Sequence, residues 1–276
     1  METLEVILQD CHSVIREAGA LLMNHFDRPL NIRFKGQFNM VTEADLASER
    51  FIIDALRQLT PEIPVMSEEE AESGGGVERD NCWMWVVDPL DGTTNFAHGF
   101  PHFCISIALT HAGIPELGLI YHPFTQELWS AQRGRGVTLN DHPCHVSVSQ
   151  TLEISILATG FPYRVRELEQ NNLSEFCAFR LRSQGLRRTG AAALDLAYVA
   201  SGRLDGFWER WLKPWDIAAG WLIVLEAGGS VTDFDGSEMR IGLPRIIASN
   251  GLIHGEMIAV LTHPWPRLPS EYLDAL

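Results

Sequence analysis

Leu4, Leu8, Cys11, Ile15, Ala18 and Leu22 recur in alternating steps of four and three. That spacing lines one face of a helix, so the pattern predicts a helix over the first 26 residues. Residues 45–59 repeat it and stop near Thr60-Pro61, giving a second helix. From residue 83 the period changes. Residues 83–87, Trp-Met-Trp-Val-Val, are apolar and β-favouring throughout, which reads as a strand buried on both faces. Pro89 is expected to end that strand, because proline has no ladder donor. Residues 103–110, 116–121, 127–131 and 137–139 follow as strands between Gly, Pro and Asn-Asp turns, the pattern of an antiparallel meander.

After residue 150 strands and helices alternate. Strands are predicted at 154–159, 185–188 and 206–211, and helices at 165–183, 191–201 and 216–227, the last stopped by Gly228-Gly229. The pattern divides the chain into an α+β half, residues 1–150, and an α/β half, residues 151–276. No internal repeat or long linker separates them. The halves are therefore expected to meet over a broad face, with a site in the cleft between them.

A chain of 276 residues that is 46% hydrophobic has ample material for such cores. A membrane span takes about 18 consecutive apolar residues, and the best apolar run, residues 217–225, is far shorter. Glu2, Glu5 and Asp10 interrupt the first apolar positions, unlike a secretory leader. Five cysteines, odd in number, scattered and without a C-x-x-C pair, fit reduced thiols in a cytoplasm, the expected location. The formal charge of −15 argues against direct nucleic-acid binding, which rewards clustered Lys and Arg. The same charge repels phosphate esters. If the substrate is a phosphate, a cation must stand between it and the carboxylates.

The chemistry concentrates where the apolar strand delivers Asp88 and Asp91 into Gly92-Thr93-Thr94-Asn95. An unpaired carboxylate at such a strand end costs roughly several kcal/mol of desolvation unless a cation compensates. A tight Pro89-Leu90 step can turn both carboxylates toward one point, and the free N–H groups of Gly92 and Thr93, at the start of a short helix, suit an anion. Three further acids stand apart. Asp45 and Asp216 each precede a helical pattern, where the ordinary work of an aspartate is an N-cap, stabilising by about 1 kcal/mol. Glu68 opens an acidic run ahead of Gly74-Gly75-Gly76, whose plainer reading is a solvated loop. His98 and His102 have H-x-x-x-H spacing, but Gly99 and Pro101 between them argue against a helix, so they read as loop or packing residues.

Residues 88–95, Asp-Pro-Leu-Asp-Gly-Thr-Thr-Asn, with residues 215–220, Trp-Asp-Ile-Ala-Ala-Gly, and 225–229, Leu-Glu-Ala-Gly-Gly, resemble the two signatures of the inositol monophosphatase family. Supporting segments occur in family order: Lys35-Gly36, Thr42 with Asp45, Ser67-Glu68-Glu69, residues 188–193 and residues 205–209. Residues 156–162 and 193–202 are most similar to its bacterial SuhB-type branch. The resemblance covers about residues 10–260. Ser67 and Glu70 depart from the usual Gly and Ser around the paired glutamates and leave the ligand position intact.

The resemblance implies a layered αβαβα sandwich of the sugar-phosphatase type, and a phosphatase using two to three Mg²⁺ ions and inhibited by Li⁺. Glu68, Asp88 and the Leu90 carbonyl would hold one ion, Asp88, Asp91 and Asp216 a second, with a third, weaker ion near Glu68. Oxygen-only donors suit Mg²⁺. A metal-activated water near Glu68 and Thr93, with Asp45 accepting from the Thr93 hydroxyl, would attack in line. Gly92 and Thr93 amides would hold the phosphate. Glu209 and Asp91 would accept hydrogen bonds from ring hydroxyls beside backbone at Ala191 and Ala192. Arg187 and Arg188 read as sugar contacts or, at least as readily, as members of a structural ion pair or a partner contact.

Thr94 stands where nucleotide and histidinol phosphatases of this scaffold commonly carry Lys, so myo-inositol 1-phosphate and related polyol phosphates are the expected substrates. Fructose 1,6-bisphosphate is the nearest alternative. Family members usually form homodimers, with the Trp-rich segments and residues 263–269 as candidate interface. Some SuhB-type members also bind the transcription machinery and modulate antitermination, which makes an interaction protein the second class of function.

Overall fold

The computed structural model describes residues 3–26, 28, 32–34, 40–72, 82–162 and 164–262. Lys35-Gly36, the Gly74-Gly75-Gly76 run and the tail at 263–269 lie outside them. The chain begins with helix α1 (Leu4–His25), the short strands β1 (Ile32–Phe34) and β2 (Met40–Thr42), and α2 (Glu43–Leu59). Then come β3 (Val65–Ser67), α3 (Glu68–Glu72), β4 (Trp83–Asp91) and α4 (Thr93–Ala97). The meander is β5 (Cys104–His111), β6 (Ile114–His122), β7 (Glu127–Gln132), β8 (Gly136–Leu139) and β9 (His142–Pro143). A single 3₁₀ turn at Leu152–Ile154 precedes β10 (Ile156–Thr159), α5 (Leu173–Arg180), β11 (Gly185–Arg187), α6 (Ala192–Ala200) and β12 (Gly206–Arg210). The chain then runs through α7 (Pro214–Glu226), β13 (Ser230–Thr232), β14 (Arg245–Ser249) and α8 (His254–Thr262).

Strands β3 to β9 form one seven-stranded sheet in sequence order, parallel at β3–β4 and antiparallel thereafter. A five-stranded sheet has the order β11-β10-β12-β14-β13, parallel among its first three strands and antiparallel at β14.

Side-chain alternation divides these sheets into layers. In β4, Trp85 and Val87 face α1 and α2, joining Ile15, Leu22, Ile52 and Leu56, while Val86 faces the other way. Val86 meets Ala108, Ile120 and Trp129 from its own sheet and Leu196, Ala219 and Leu222 from α6 and α7. The smaller sheet covers the far side of those helices with Phe207, Ile246 and Ala248. Its outer face sends Trp208 and Ile247 to Phe179 of α5 and Met257 of α8. The order is therefore helix, sheet, helix, sheet, helix, the layered αβαβα arrangement. Close approach at the centre depends on Gly118 of β6, where an added Cβ would stand 2.9 Å from the Ala219 carbonyl oxygen.

Several boundaries differ from the sequence reading. The predicted helix at 165–183 shrinks to α5, with turns before it, because residues 164–171 offer only half-buried Val165 and Leu168 as an apolar face. The strand at 154–159 starts two residues late, because Ile154 closes the 3₁₀ turn and Ser155 caps it. Helix α7 begins at Pro214, a favoured first-turn proline, so Asp216 lies inside the helix rather than before it. Pro89 does not end β4.

Candidate active site

Strand β4 continues past Pro89 because of a bulge. Asp88 pairs with Ser106 and Asp91 with Cys104, so three steps on β4 oppose two on β5. The extra residue absorbs the proline, which has no donor for the ladder. Ser106 and Cys104 are two apart and share a face, and the bulge therefore puts Asp88 and Asp91 on one face as well, the face covered by α6 and α7. Leu90 returns to the α1 and α2 side. The Leu90 N–H donates to Asp88 Oδ1 at 3.0 Å, fixing that carboxylate's rotamer.

Gly92 follows with φ of 94°, left-handed backbone that glycine adopts at no steric cost. An added Cβ would stand 3.0 Å from the His102 carbonyl oxygen and 3.3 Å from Ala191 Cβ. The turn and the start of α6 are therefore in contact. The Thr93 hydroxyl lies 3.0 Å from Asp45 Oδ1 and 3.1 Å from the Leu90 carbonyl oxygen, and donates its single proton between them. Asp45 is the third residue of α2, and the N-cap is Thr42. Its Oδ2 accepts from the Thr42 N–H at 2.8 Å and the Thr42 hydroxyl at 2.5 Å, leaving Oδ1 for Thr93. One side chain thus serves both readings, capping box and site. Burial raises the Asp45 pKa, opposed by the hydrogen bonds from Thr42 and Thr93.

The remaining acids are placed by the starts of α6, α7 and α3. Asp91 Oδ2 accepts the Ala193 N–H at 2.7 Å from the first turn of α6, whose N-cap is Ala191. Burial pushes the Asp91 carboxyl up to about 6, against the backbone amides led by Ala193. Asp216 Oδ2 accepts the Lys213 N–H at 2.7 Å, which holds the carboxylate at the head of α7. Glu68 is the first residue of α3, and that helix start is fastened by Glu49, whose Oε1 accepts the Glu69 and Glu70 N–H groups at 3.1 and 3.3 Å. Burial raises Asp88 well above the carboxylate range, and the charges of Glu68, Asp91 and Asp216 each add to the shift. These four acids therefore lie within electrostatic reach of one another.

Among the described residues no group of three or more His, Cys, Asp or Glu side chains is so arranged that it could hold a metal ion. The donor chemistry nevertheless fits a hard divalent cation: oxygen atoms only, from four acids of which Asp88 is repelled by the other three, a repulsion a cation relieves. The Leu90 carbonyl, the fifth expected donor, is within reach of the Thr93 hydroxyl.

Glu209, on β12, is buried. Its pKa is raised well above the usual value by burial and by Asp216, Asp195 and Asp91, with Arg188 opposing. Gly160 makes room for it, since a Cβ there would overlap the Glu209 carboxylate. Arg187 and Arg188 are exposed, Arg187 donating to the Leu186 carbonyl at 3.0 Å. His98 is exposed at the end of α4, while His102 is buried against the Tyr198 and His122 rings. Burial, then His122, takes the His102 pKa down to about 4. Sequence reasoning assigned no role to Glu49, Asn95, Gly160 or Asp195. Asn95, Gly160 and Asp195 carried a signal, as members of the quoted motifs.

Fold and site together mark the class: a phosphatase of small phosphate esters. The model of the inositol monophosphatase family matches residues 3–264, and the chain belongs to that family. It is 44% identical over 260 residues to an inositol-1-monophosphatase of Synechocystis sp., covering 94% of this chain and 89% of that one. It is 43% identical over 258 residues to the Nus factor SuhB of Pseudomonas aeruginosa, covering 92% and 94%. The solved inositol monophosphatase of Anabaena (Nostoc) sp. PCC 7120 superposes with a TM-score of 0.85 at 40% identity, covering 97% of this chain and 99% of that one. No helix among the described residues is long and apolar enough to cross a membrane.

Proposed function

We propose that this chain is a Mg²⁺-dependent phosphomonoesterase that hydrolyses myo-inositol 1-phosphate and related polyol phosphates by in-line attack of an activated water. The observation that carries the reading is the bulge, which sets Asp88 and Asp91 on one face within reach of Glu68 and Asp216. Divalent cations held by Glu68, Asp88, Asp91, Asp216 and the Leu90 carbonyl would lower the pKa of the attacking water and offset charge on the phosphoryl and leaving oxygens. Li⁺ would inhibit by competing there.

The protein's own residues do the positioning. Asp45 draws the Thr93 proton toward itself, so the hydroxyl oxygen turns its lone pairs to the cleft and accepts from the water. Glu68, from the other side, orients that water. Gly92 and Thr93 amides receive the phosphate. Asp91, Glu209 and the backbone at Ala191 and Ala192 meet the polyol hydroxyls. Residues 1–150 supply most of the cation and phosphate machinery, and residues 151–276 supply Asp216 and the polyol wall.

The test is phosphate release from inositol 1-phosphate, fructose 1,6-bisphosphate, 3′-phosphoadenosine 5′-phosphate and histidinol phosphate, each with Mg²⁺, with chelator and with Li⁺. Mg²⁺-dependent, Li⁺-sensitive preference for the inositol ester supports the reading, and preference for another ester moves the substrate. Absence of Mg²⁺-dependent release from all four overturns it.

The likeness to a Nus factor favours a second role, binding to the transcription machinery from a cytoplasmic homodimer. An Asp88→Asn variant separates the two. A cellular phenotype that survives loss of phosphatase activity supports the binding role, and joint loss counts against it. Sedimentation that finds only monomer removes the dimer.

A further inference from the structure

Asn95 lies two residues beyond Thr93 in α4, and its side-chain amide donates to two carbonyl oxygens, His102 at 2.7 Å and Thr189 at 2.8 Å. Both partners are acceptors only, so the orientation of the amide is fixed by chemistry: the nitrogen end must face them, one hydrogen to each. Thr189 is held in turn. Its hydroxyl lies 2.6 Å from both oxygens of Asp195, one turn into α6 and buried. Burial raises Asp195 well above the carboxylate range, opposed by the Thr189 hydroxyl. Between Thr189 and α6 the chain passes through Gly190, with φ of 88°, and Ala191, the residue against which Gly92 packs. The α6 first turn then returns to the site by holding Asp91 through the Ala193 N–H.

These bonds close a ring: the Gly92–Asn95 turn, the 189–191 segment, the head of α6, and Asp91 back to Gly92. On the reading given above, one side of this ring receives the phosphate and the other meets the polyol. We propose that Asn95, Thr189 and Asp195 are positioning residues that set the spacing between the phosphate turn and the polyol wall at Ala191 and Ala192. They touch no reacting atom. They determine whether a hydroxylated alcohol reaches its wall while its phosphate is seated. Misplacement by a fraction of an ångström is expensive for such a two-point contact, whereas a phosphate ester with no hydroxyls uses only one side of the ring.

The inference rests on the phosphatase reading, and its test separates the two. Steady-state kinetics of Asn95→Ala, Thr189→Val and Thr189→Ser are measured on inositol 1-phosphate and on p-nitrophenyl phosphate, with thermal melting of each variant. Asn95→Ala, which loses two positioning hydrogen bonds, and Thr189→Val, which loses the hydroxyl held by Asp195, are each expected to lose at least roughly tenfold in kcat/KM on the inositol ester, carried by KM. On p-nitrophenyl phosphate they stay within about twofold, since that ester uses one side only. Thr189→Ser keeps the hydroxyl for Asp195 and holds the native ratio between the two esters. Equal loss on both esters, no loss on either, or failure of Thr189→Ser to hold the ratio overturns the inference while leaving the phosphatase reading in place. If Asn95→Ala does not fold, the Thr189→Val and Thr189→Ser pair decides. A native chain inactive on every ester overturns the phosphatase reading, and this inference with it.

Discussion

On the proposed reading, a chain kept free of divalent cations carries a buried carboxyl at the bulge that its hydrogen bonds do not fully offset, and pH is the variable that reads that burial. Without a cation, burial holds the Asp91 carboxyl at about 6 against an ordinary value of 3.8. The folded state then binds this proton more tightly than the unfolded chain does. Stability is full below the unfolded value, falls as pH rises from about 4, and levels off above about 6. A shift of roughly two units corresponds to about 3 kcal/mol lost across that window from Asp91 alone. Asp88, Asp195 and Glu209 are shifted in the same sense. For a chain of this size each kcal/mol moves the melting temperature by about 2–4 °C, so the Asp91 share is roughly 6–12 °C. The assay is thermal melting from pH 4 to 8 with chelator, for the native chain and for Asp91→Asn, which lacks the titrating group. The native chain should fall more steeply with pH than the variant. Mg²⁺ at a hundred times its dissociation constant should restore about 2.7 kcal/mol at neutral pH. Parallel melting curves for native chain and variant in chelator, or no Mg²⁺ stabilisation at pH 7, would refute the reasoning.

Thr93→Ala removes the hydroxyl that Asp45 orients, and should lower kcat on the order of 100-fold while KM stays within about twofold; a change in KM alone takes Thr93 out of that role. Gly160→Ala drives a methyl group into the Glu209 carboxylate and should cost about 1–3 kcal/mol in melting experiments. The same variant, like Glu209→Gln, should reorder the preference among polyol phosphates with Mg²⁺ affinity unchanged, and a uniform loss across substrates would show that Glu209 does not select. Glu49→Ala unfastens the start of α3, with an expected stability loss of about 1–2 kcal/mol and a weaker Mg²⁺ requirement curve, because Glu68 begins that helix. Calorimetric Mg²⁺ titration of Glu49→Ala giving the native affinity would sever that link.

The elements most legible in the sequence were those whose signal is local. The α1 stripe needed only its own 3.6-residue period, and of its six residues all but half-buried Leu4 are buried. The meander announced itself through alternation and turn residues. Strands β13 and β14 went unread, since β13 has three residues and β14 gains its place by pairing with β12 and β13. The placement of α6 and α7 between two sheets was likewise not encoded in either helix, both of which are apolar nearly all round. It followed from the family resemblance instead.

The acids Asp88 and Asp91 were found at once, yet the strand that carries them was read as stopping too early, and the reason is instructive. On a regular strand residues three apart point to opposite faces. Taken with an uninterrupted β4, Asp91 would face α1 and α2, among Leu22, Ile105 and Phe103, where a carboxylate has no partner. The sequence alone resolves this conflict by ending the strand at Pro89. The fold resolves it by keeping the strand and letting Pro89 be the surplus residue, which costs no hydrogen bond because proline has none to give. Leu90 then completes the α1 and α2 core while Asp91 joins Asp88 on the cleft side. The proline is thus the residue that lets two carboxylates three positions apart act on one site, and a deletion of Pro89, which removes the surplus residue, should leave Asp88 and Asp91 two apart on a regular strand and still on one face; calorimetric Mg²⁺ titration of that variant giving no binding would refute the account of the bulge.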